Sequence, residues 1–177
     1  MKQIRKNLFE TNSSSTHVIT IANNNEDDFK NNLPETIEFN VGEYGWEFER
    51  YDDMQSRADY LFTAIVGCGV DAEPYIDKLV ETLKSWGVEA KYPELTKKET
   101  SYGCYYYLKG LPGKYFGIDH AGELRDFLEQ VVNDEKLLMN YLFSPESFIA
   151  TGNDNDDETL DYKTNAKNIL MTFEKGN

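Results

Sequence analysis

The densest run of side chains that could do chemistry lies near the start of the chain, where hydroxyl and amide groups precede a histidine. Such groups, together with backbone N–H groups in one turn, can bind an anion, and a neutral imidazole can act as a base near pH 7. We therefore consider an anion-binding turn that ends at His17. Because Ser and Asn also satisfy backbone groups in tight turns, a purely structural turn is the alternative. The residues of the anion-binding hypothesis are Asn12, Ser13, Ser14, Ser15 and Thr16.

The second histidine, His120, follows Asp119 at the end of an aromatic segment. Neighbouring residues of a strand point to opposite faces, so this adjacency alone does not make a catalytic pair. His17 and His120 are the two histidines of the chain, and they could meet across a sheet. His17, His120 and Asp119 are therefore the catalytic candidates of an enzymatic hypothesis, whose substrate would be a phosphorylated compound or a nucleotide.

Carboxylates and aromatic rings alternate in the segment 43–53. Aromatic rings supply rigid contact area and carboxylates complement Arg and Lys, so this composition suits a surface that meets a nucleic-acid-binding protein. A strand with a buried aromatic side and a wet acidic side would give the same pattern. The candidate binding residues here are Glu43, Trp46, Glu47, Glu49, Asp52 and Asp53.

A second acidic run follows at residues 154–158. It places acids at the first, third and fifth positions of a calcium loop, but Thr159 stands at the position of the turning Gly and Asn165 at that of the bidentate Glu. We therefore predict no metal site, and interpret the run as a solvated acidic loop or as a contact with a basic partner. The candidate binding residues here are Asp154, Asp156, Asp157 and Glu158.

The overall charge narrows the choice of partner. The chain has 18 basic and 32 acidic side chains among 177 residues, a formal net charge of -14. Affinity for phosphate backbones comes from Lys and Arg, so direct nucleic-acid binding is disfavoured and a basic protein partner is favoured. Solubility alone would also explain the acidity. Two cysteines are too few for a disulfide framework, and no stretch resembles a signal peptide or a membrane span, so we predict a cytoplasmic protein without a cofactor.

The elements that must position these residues follow from hydrophobic periodicity. We predict strands at 18–21, 36–41, 88–92, 147–150 and 168–173, and a hairpin of 102–108 with 114–118. Helices are predicted from residue 53, capped by Asp52 or Asp53, and at 72–86, 121–131 and 134–143, with Asp71 as the cap of the second. The length fits one domain. The prediction is a single α+β domain over residues 1–177, with a mixed or antiparallel sheet packed against several amphipathic helices.

The opening RKNLFETNSSSTH at residues 5–17 resembles that of a family of uncharacterised proteins from phages and mobile elements of Gram-positive bacteria. The segments GEYGWE (42–47), IDH (118–120) and TGND (151–154) resemble the same family. The resemblance supplies no catalytic residue. It implies a mobile-element context, in which small acidic proteins inhibit host defence nucleases as anti-CRISPR proteins do.

Charge and resemblance together favour one functional hypothesis. The chain would be an acidic, non-enzymatic phage or mobile-element protein that binds and inhibits a basic nucleic-acid-binding protein in the host cytoplasm. The partner would be a nuclease or effector complex, such as the CRISPR effector Cas9 with its positively charged guide–target channel. Neither direct nucleic-acid contact nor a membrane is expected. The alternative is the enzyme with the turn at residues 12–17 and His120.

Overall fold

The computed structural model describes residues 15–24, 29–45, 48–111, 116–153 and 168–175. Within these ranges the chain forms short strands and four α-helices, joined by a few turns. In chain order the elements are β1 (Ser15–Ala22), β2 (Thr36–Glu38), β3 (Glu43–Tyr44), β4 (Glu49–Tyr51), α1 (Met54–Gly67), α2 (Glu73–Ser85), β5 (Glu89–Lys91), β6 (Leu95–Thr100), β7 (Gly103–Leu108), β8 (Gly117–Ile118), a 3-10 turn (Ala121–Leu124), α3 (Arg125–Asn133), α4 (Glu135–Phe143), β9 (Phe148–Asn153) and β10 (Ile169–Lys175).

The main sheet has the order β10-β1-β9-β4 and is antiparallel throughout. Alternate residues of β1 face the core, and they change from apolar Ile19 and Ile21 to polar Ser15 and His17 towards the start of the strand. Residues directly opposite one another in an antiparallel sheet share a face. His17 lies opposite Lys175 on one side and Thr151 on the other, so a polar row crosses one end of the buried face.

Helix α1 begins where the sequence predicts, because the Asp53 side chain accepts a hydrogen bond of 2.8 Å from the Ser56 backbone N–H. Its apolar stripe, with Leu61 and Ile65, is completely buried. The start of α2 differs from the prediction: Ala72 is its N-cap, and Asp71 accepts a bond of 3.2 Å from Glu73 N. The α+β class, with an antiparallel main sheet against amphipathic helices, is confirmed, and one hydrophobic cluster joins sheet and helices.

The predicted hairpin of 102–108 with 114–118 is wrong. β7 pairs with β6, which precedes it, while β8 pairs in parallel with β3. Periodicity missed β6 because five of its six residues are polar. The strand predicted at 36–41 is also shorter than expected, since only β2 pairs, in parallel with β5. The β3–β8 pair matters for the site, because it brings the acidic segment beside Asp119.

Arg57 is buried, with 1% of the residue exposed, and its guanidinium connects two parts of the fold. It donates to the backbone oxygens of Asp52 at 2.5 Å, Ser147 at 2.6 Å, Leu142 at 2.8 Å and Ser144 at 3.0 Å. Carbonyls at a helix C-terminus carry partial negative charge, which stabilises a buried cation. Arg57 therefore fastens the start of α1 to the turn between α4 and β9.

Among the residues described, no helix combines the length and apolar character needed to cross a membrane.

Candidate functional site

Five carboxylates lie on β3, on β4, and at the start and in the first two turns of α1. Glu43 and Glu49 are exposed on their strands, and Asp52 and Asp53 are exposed at the start of the helix. Asp59, one and a half turns into α1, is partly buried and accepts bonds of 2.8 Å from Asn40 N and from Gln55 Nε2. We call this set the acidic surface: Glu43, Glu49, Asp52, Asp53 and Asp59.

Three of these carboxylates act electrostatically on the phenol of Tyr44. Its pKa is raised above the ordinary value, first by burial and then by the negative charges of Asp59, Asp53 and Glu49. The ring lies 5.4 Å from that of Tyr51 and 5.1 Å from that of Tyr60, both edge-on. Tyrosine rings in edge-on contact therefore pack beside the acidic surface.

Few cations offset this negative charge. Arg50 lies 3.6 Å from Asp52 and also stacks on the ring of Phe148, 3.7 Å from its centroid. Among the ion pairs between described residues, none includes Glu43, Glu49, Asp53 or Asp59. The pKa of Asp53 is lowered by its hydrogen bonds with Ser56, which keeps that carboxylate charged.

The carboxylates beside the β6–β7 hairpin are arranged differently. Lys97 lies 2.9 Å from Asp71, 3.2 Å from Glu99 and 4.0 Å from Glu73, and Tyr106 donates a 2.7 Å bond to Asp71. These contacts lower the pKa of Asp71, through Lys97 first and Tyr106 second. Lys97 thus offsets part of the negative charge of Asp71, Glu73 and Glu99. Most carboxylates of the acidic surface have no such cation among the described residues.

The other binding candidates lie outside the described residues, as do Asn12, Ser13 and Ser14 of the anion-binding hypothesis; they are Trp46, Glu47, Asp154, Asp156, Asp157 and Glu158.

The end of that hypothetical turn falls inside the protein. Ser15 is fully buried, and Thr16 is partly buried on β1. Lys175, only 4% exposed, donates 2.7 Å to the backbone oxygen of Ser15 and 3.0 Å to its Oγ. Asp119 Oδ2 accepts from Ser15 N at 3.2 Å and from Oγ at 3.3 Å. With His17, these side chains form what we call the buried cluster: Ser15, His17, Asp119 and Lys175.

His17 has no exposed surface, and its Nδ1 lies 2.6 Å from the hydroxyl of Tyr60. Its pKa is lowered to about 3, first by burial and then by the charge of Lys175, while Asp119 acts in the opposite direction. The imidazole is therefore neutral near pH 7. Nε2 is buried without a hydrogen-bond partner in the described part of the structure. A base this weak and enclosed is poorly suited to take a proton from a substrate.

The environment of His120 differs from that of the buried His17. Half of the His120 side chain is exposed, and its backbone is left-handed with φ 51°. Its Nε2 is 4.0 Å from Asp119 Oδ1 and its Nδ1 is 3.8 Å from Glu123 Oε1. Asp119 thus faces the buried cluster with one oxygen and His120 with the other. The predicted trio comes to one region, but its two histidines do not form a hydrogen-bonded pair in the structure.

Asp59 and Lys175 were not predicted as site residues, although the sequence pattern indicates the position of each. Asp59 lies within the predicted helix, six residues beyond its Asp53 cap. Lys175 continues the inward alternation of Met171 and Phe173 along β10. Period-2 alternation places a residue two positions beyond Phe173 on the same face, so its burial was predictable.

Among the described residues, no three His, Cys, Asp or Glu side chains are grouped to hold a metal ion. Comparison of the chain with protein-family models, curated proteins and solved structures found no match.

Proposed function

We propose that the chain is a non-enzymatic inhibitor that binds a basic nucleic-acid-binding protein through its acidic surface. The observation that carries the proposal is the grouping of Glu49, Asp53 and Asp59 around Tyr44, without an ion pair to any of them among the described residues. Such carboxylates can take the place of phosphates opposite Lys and Arg. The partner is a nuclease or effector complex of an anti-CRISPR-like interaction in the host cytoplasm.

Electrostatics gives the proposal a distinctive signature. A net charge of -14 accelerates encounter with a cationic surface, and carboxylates without an internal ion pair give up no such pair on meeting an external cation. The attraction acts over a screening length of about 10 Å at 0.1 M salt, which shortens to roughly 3 Å at 1 M. Binding should therefore weaken steeply as salt is added.

The enzymatic alternative has less support. Of its two candidate bases, His17 is enclosed and its pKa is lowered to about 3, which leaves the half-exposed His120 to transfer a proton. The alternative also requires Ser15 to meet a substrate, whereas its Oγ is buried between Lys175 and Asp119. Both features suit a role in folding.

The proposal is tested by capture from host lysate at low and high salt, with recovered proteins identified by mass spectrometry. The baits are the wild-type chain, the Glu43→Lys/Glu49→Lys variant and a control, Asp77→Lys/Glu129→Lys. All four positions are exposed, and the two variants have the same net charge. The control changes helices α2 and α3, away from the acidic surface.

We expect wild type and control to recover a basic nucleic-acid-binding protein at low salt only. The Glu43→Lys/Glu49→Lys variant should bind it roughly tenfold to a hundredfold more weakly, because two attractions become two repulsions of up to about 1 kcal/mol each. Equal recovery by all three baits, or no basic partner at low salt, would overturn the proposal.

A further inference from the structure

An apolar pocket of about 430 Å³ opens next to the acidic surface. Its walls come from three parts of the chain: the segment before β2, the start of α1 and the end of α4. The residues that line it include Phe29, Asn32, Pro34, Met54, Phe143 and Pro145.

The pocket is held open by contacts on both sides. Arg57 joins the two walls formed by Met54 and Pro145, because it bonds Asp52 on one side and Leu142, Ser144 and Ser147 on the other. On the third wall, the ring of Phe29 lies 6.2 Å from that of Phe143. The Asn32 backbone N–H donates 2.8 Å to the oxygen of Phe29, which closes the turn. A pocket that is already formed costs a ligand little reorganisation.

The rim of the pocket is acidic. Three lining residues, Pro34, Met54 and Pro145, are each followed or preceded in the chain by an exposed acid. Consecutive Cα atoms are about 3.8 Å apart, so these acids, Glu35, Asp53 and Glu146, lie within one residue of the lining. The exposed Lys30 stands next to Phe29 in the same way, so the immediate neighbours of the lining include three acids and one base. Asp53 also belongs to the acidic surface, which makes the two regions continuous.

We propose that this pocket receives an apolar side chain of the protein partner, from a segment in which Lys or Arg flanks that side chain. An apolar hole with an anionic rim complements an apolar anchor with cationic neighbours, and buried anchors commonly carry most of the energy of an interface. The inference rests on the proposed function and adds the element that charge alone lacks, which is specificity for one segment of a basic protein.

The test uses fluorescent peptides and the full chain, with affinity measured by anisotropy at two salt concentrations. One peptide has a single Phe flanked on each side by Lys and Arg. The second has Ala in place of the Phe, and the third has Glu in place of every basic residue. On the wild-type chain, the Phe peptide should bind about tenfold or more tightly than the Ala peptide, from the apolar area that the ring buries. The Glu peptide should not bind.

Two variants locate the effect without disturbing the core. Asn32→Trp fills the mouth from an exposed turn and should abolish the preference for Phe over Ala, whereas Ser101→Trp, in the exposed turn of the β6–β7 hairpin, should keep it. Glu35→Lys/Glu146→Lys should weaken both basic peptides about tenfold or more, compared with the matched Asp77→Lys/Glu129→Lys control.

The outcomes separate the two proposals. Equal binding of the Phe and Ala peptides to the wild-type chain, or an undiminished Phe preference in Asn32→Trp, overturns the pocket inference. Basic peptides that bind with no salt dependence and no loss in Glu43→Lys/Glu49→Lys count instead against the acidic-surface function.

Discussion

The buried cluster and the acidic surface are neighbours, yet their charged groups differ in exposure and in ion pairing. Tyr44 and Gly45 connect them: the Tyr44 ring packs on Tyr60, whose hydroxyl contacts His17. In the cluster, Ser15 lies between Lys175 and Asp119; Lys175 is buried and the Asp119 side chain is 20% exposed. On the surface, most carboxylates find no cation among the described residues. Burial and ion pairing, and not residue type alone, therefore decide whether a charge supports the fold or remains available to a partner.

The largest loss of stability is expected when the buried Lys175 is replaced. Lys175→Met should lower the free energy of unfolding by about 2–4 kcal/mol, because it removes charge-assisted bonds inside the protein. Lys97→Met, which removes a cation from the more open contacts with Asp71 and Glu99, should have a much smaller effect. Urea unfolding at pH 7 measures both. If the two lysines prove equally important, the contrast between buried and surface charges does not hold.

His17 predicts a pH dependence of stability. Its folded pKa of about 3 lies below the ordinary value of 6.5, so between these limits the unfolded chain binds the extra proton. The contribution is therefore complete above pH 6.5 and is lost as the pH falls towards 3, with a slope of up to about 1.4 kcal/mol per pH unit.

The measurement is the free energy of unfolding of wild type and His17→Asn from pH 7 to pH 4. Asn is chosen because it can still bond to Tyr60, yet it does not titrate. The wild type should lose more stability than the variant over this range, and parallel curves would show that His17 is not held neutral. Carboxylates such as Asp53 contribute to both curves and cancel in the difference.

Gly45 lies between the buried cluster and the acidic surface. A substitution there should lower the free energy of unfolding by less than the Lys175 substitution does. The φ of Gly45 is +147°, and a Cβ there would lie 3.1 Å from Ser15 Oγ and 3.2 Å from Ser15 Cβ. Gly45→Ala should therefore cost about 1–2 kcal/mol of unfolding free energy. Gly122→Ala is the control, because nothing lies within 4 Å of its added Cβ. Thermal unfolding compares the two variants. If Gly45→Ala has the stability of the wild type, Gly45 is not in tight contact with Ser15 of the buried cluster.

The smallest effect on stability is expected on the acidic surface itself. Glu43→Lys/Glu49→Lys should change the free energy of unfolding by no more than about 0.5 kcal/mol, since exposed substitutions seldom do more. The same variant loses partner binding under our proposal. A large destabilisation in urea would show that these carboxylates support the fold after all, and would blur the distinction between the two regions.

Much of the architecture was predictable from periodicity. The helix beginning at Asp53 has both an apolar stripe and a capping carboxylate, and these local signals agree with the structure. The hairpin prediction failed because the GLPG turn signal at 110–113 is local, whereas strand pairing is decided by distant partners. β8 pairs with β3, which lies more than seventy residues earlier in the chain. β6 has too little apolar alternation to be predicted as a strand.

Three properties of the candidate site can be read from the sequence: the net charge, the interleaving of acids with aromatic rings and the alternation that directs Lys175 inward. These properties depend only on residue identity and on the period of a strand or helix. Which polar groups are enclosed follows from the folded structure. The burial of His17, the placement of Asp119 against Ser15 and the pocket beside Asp53 depend on contacts between segments distant in sequence. The physical reason is that desolvation and ion pairing act through space, so no local pattern encodes them.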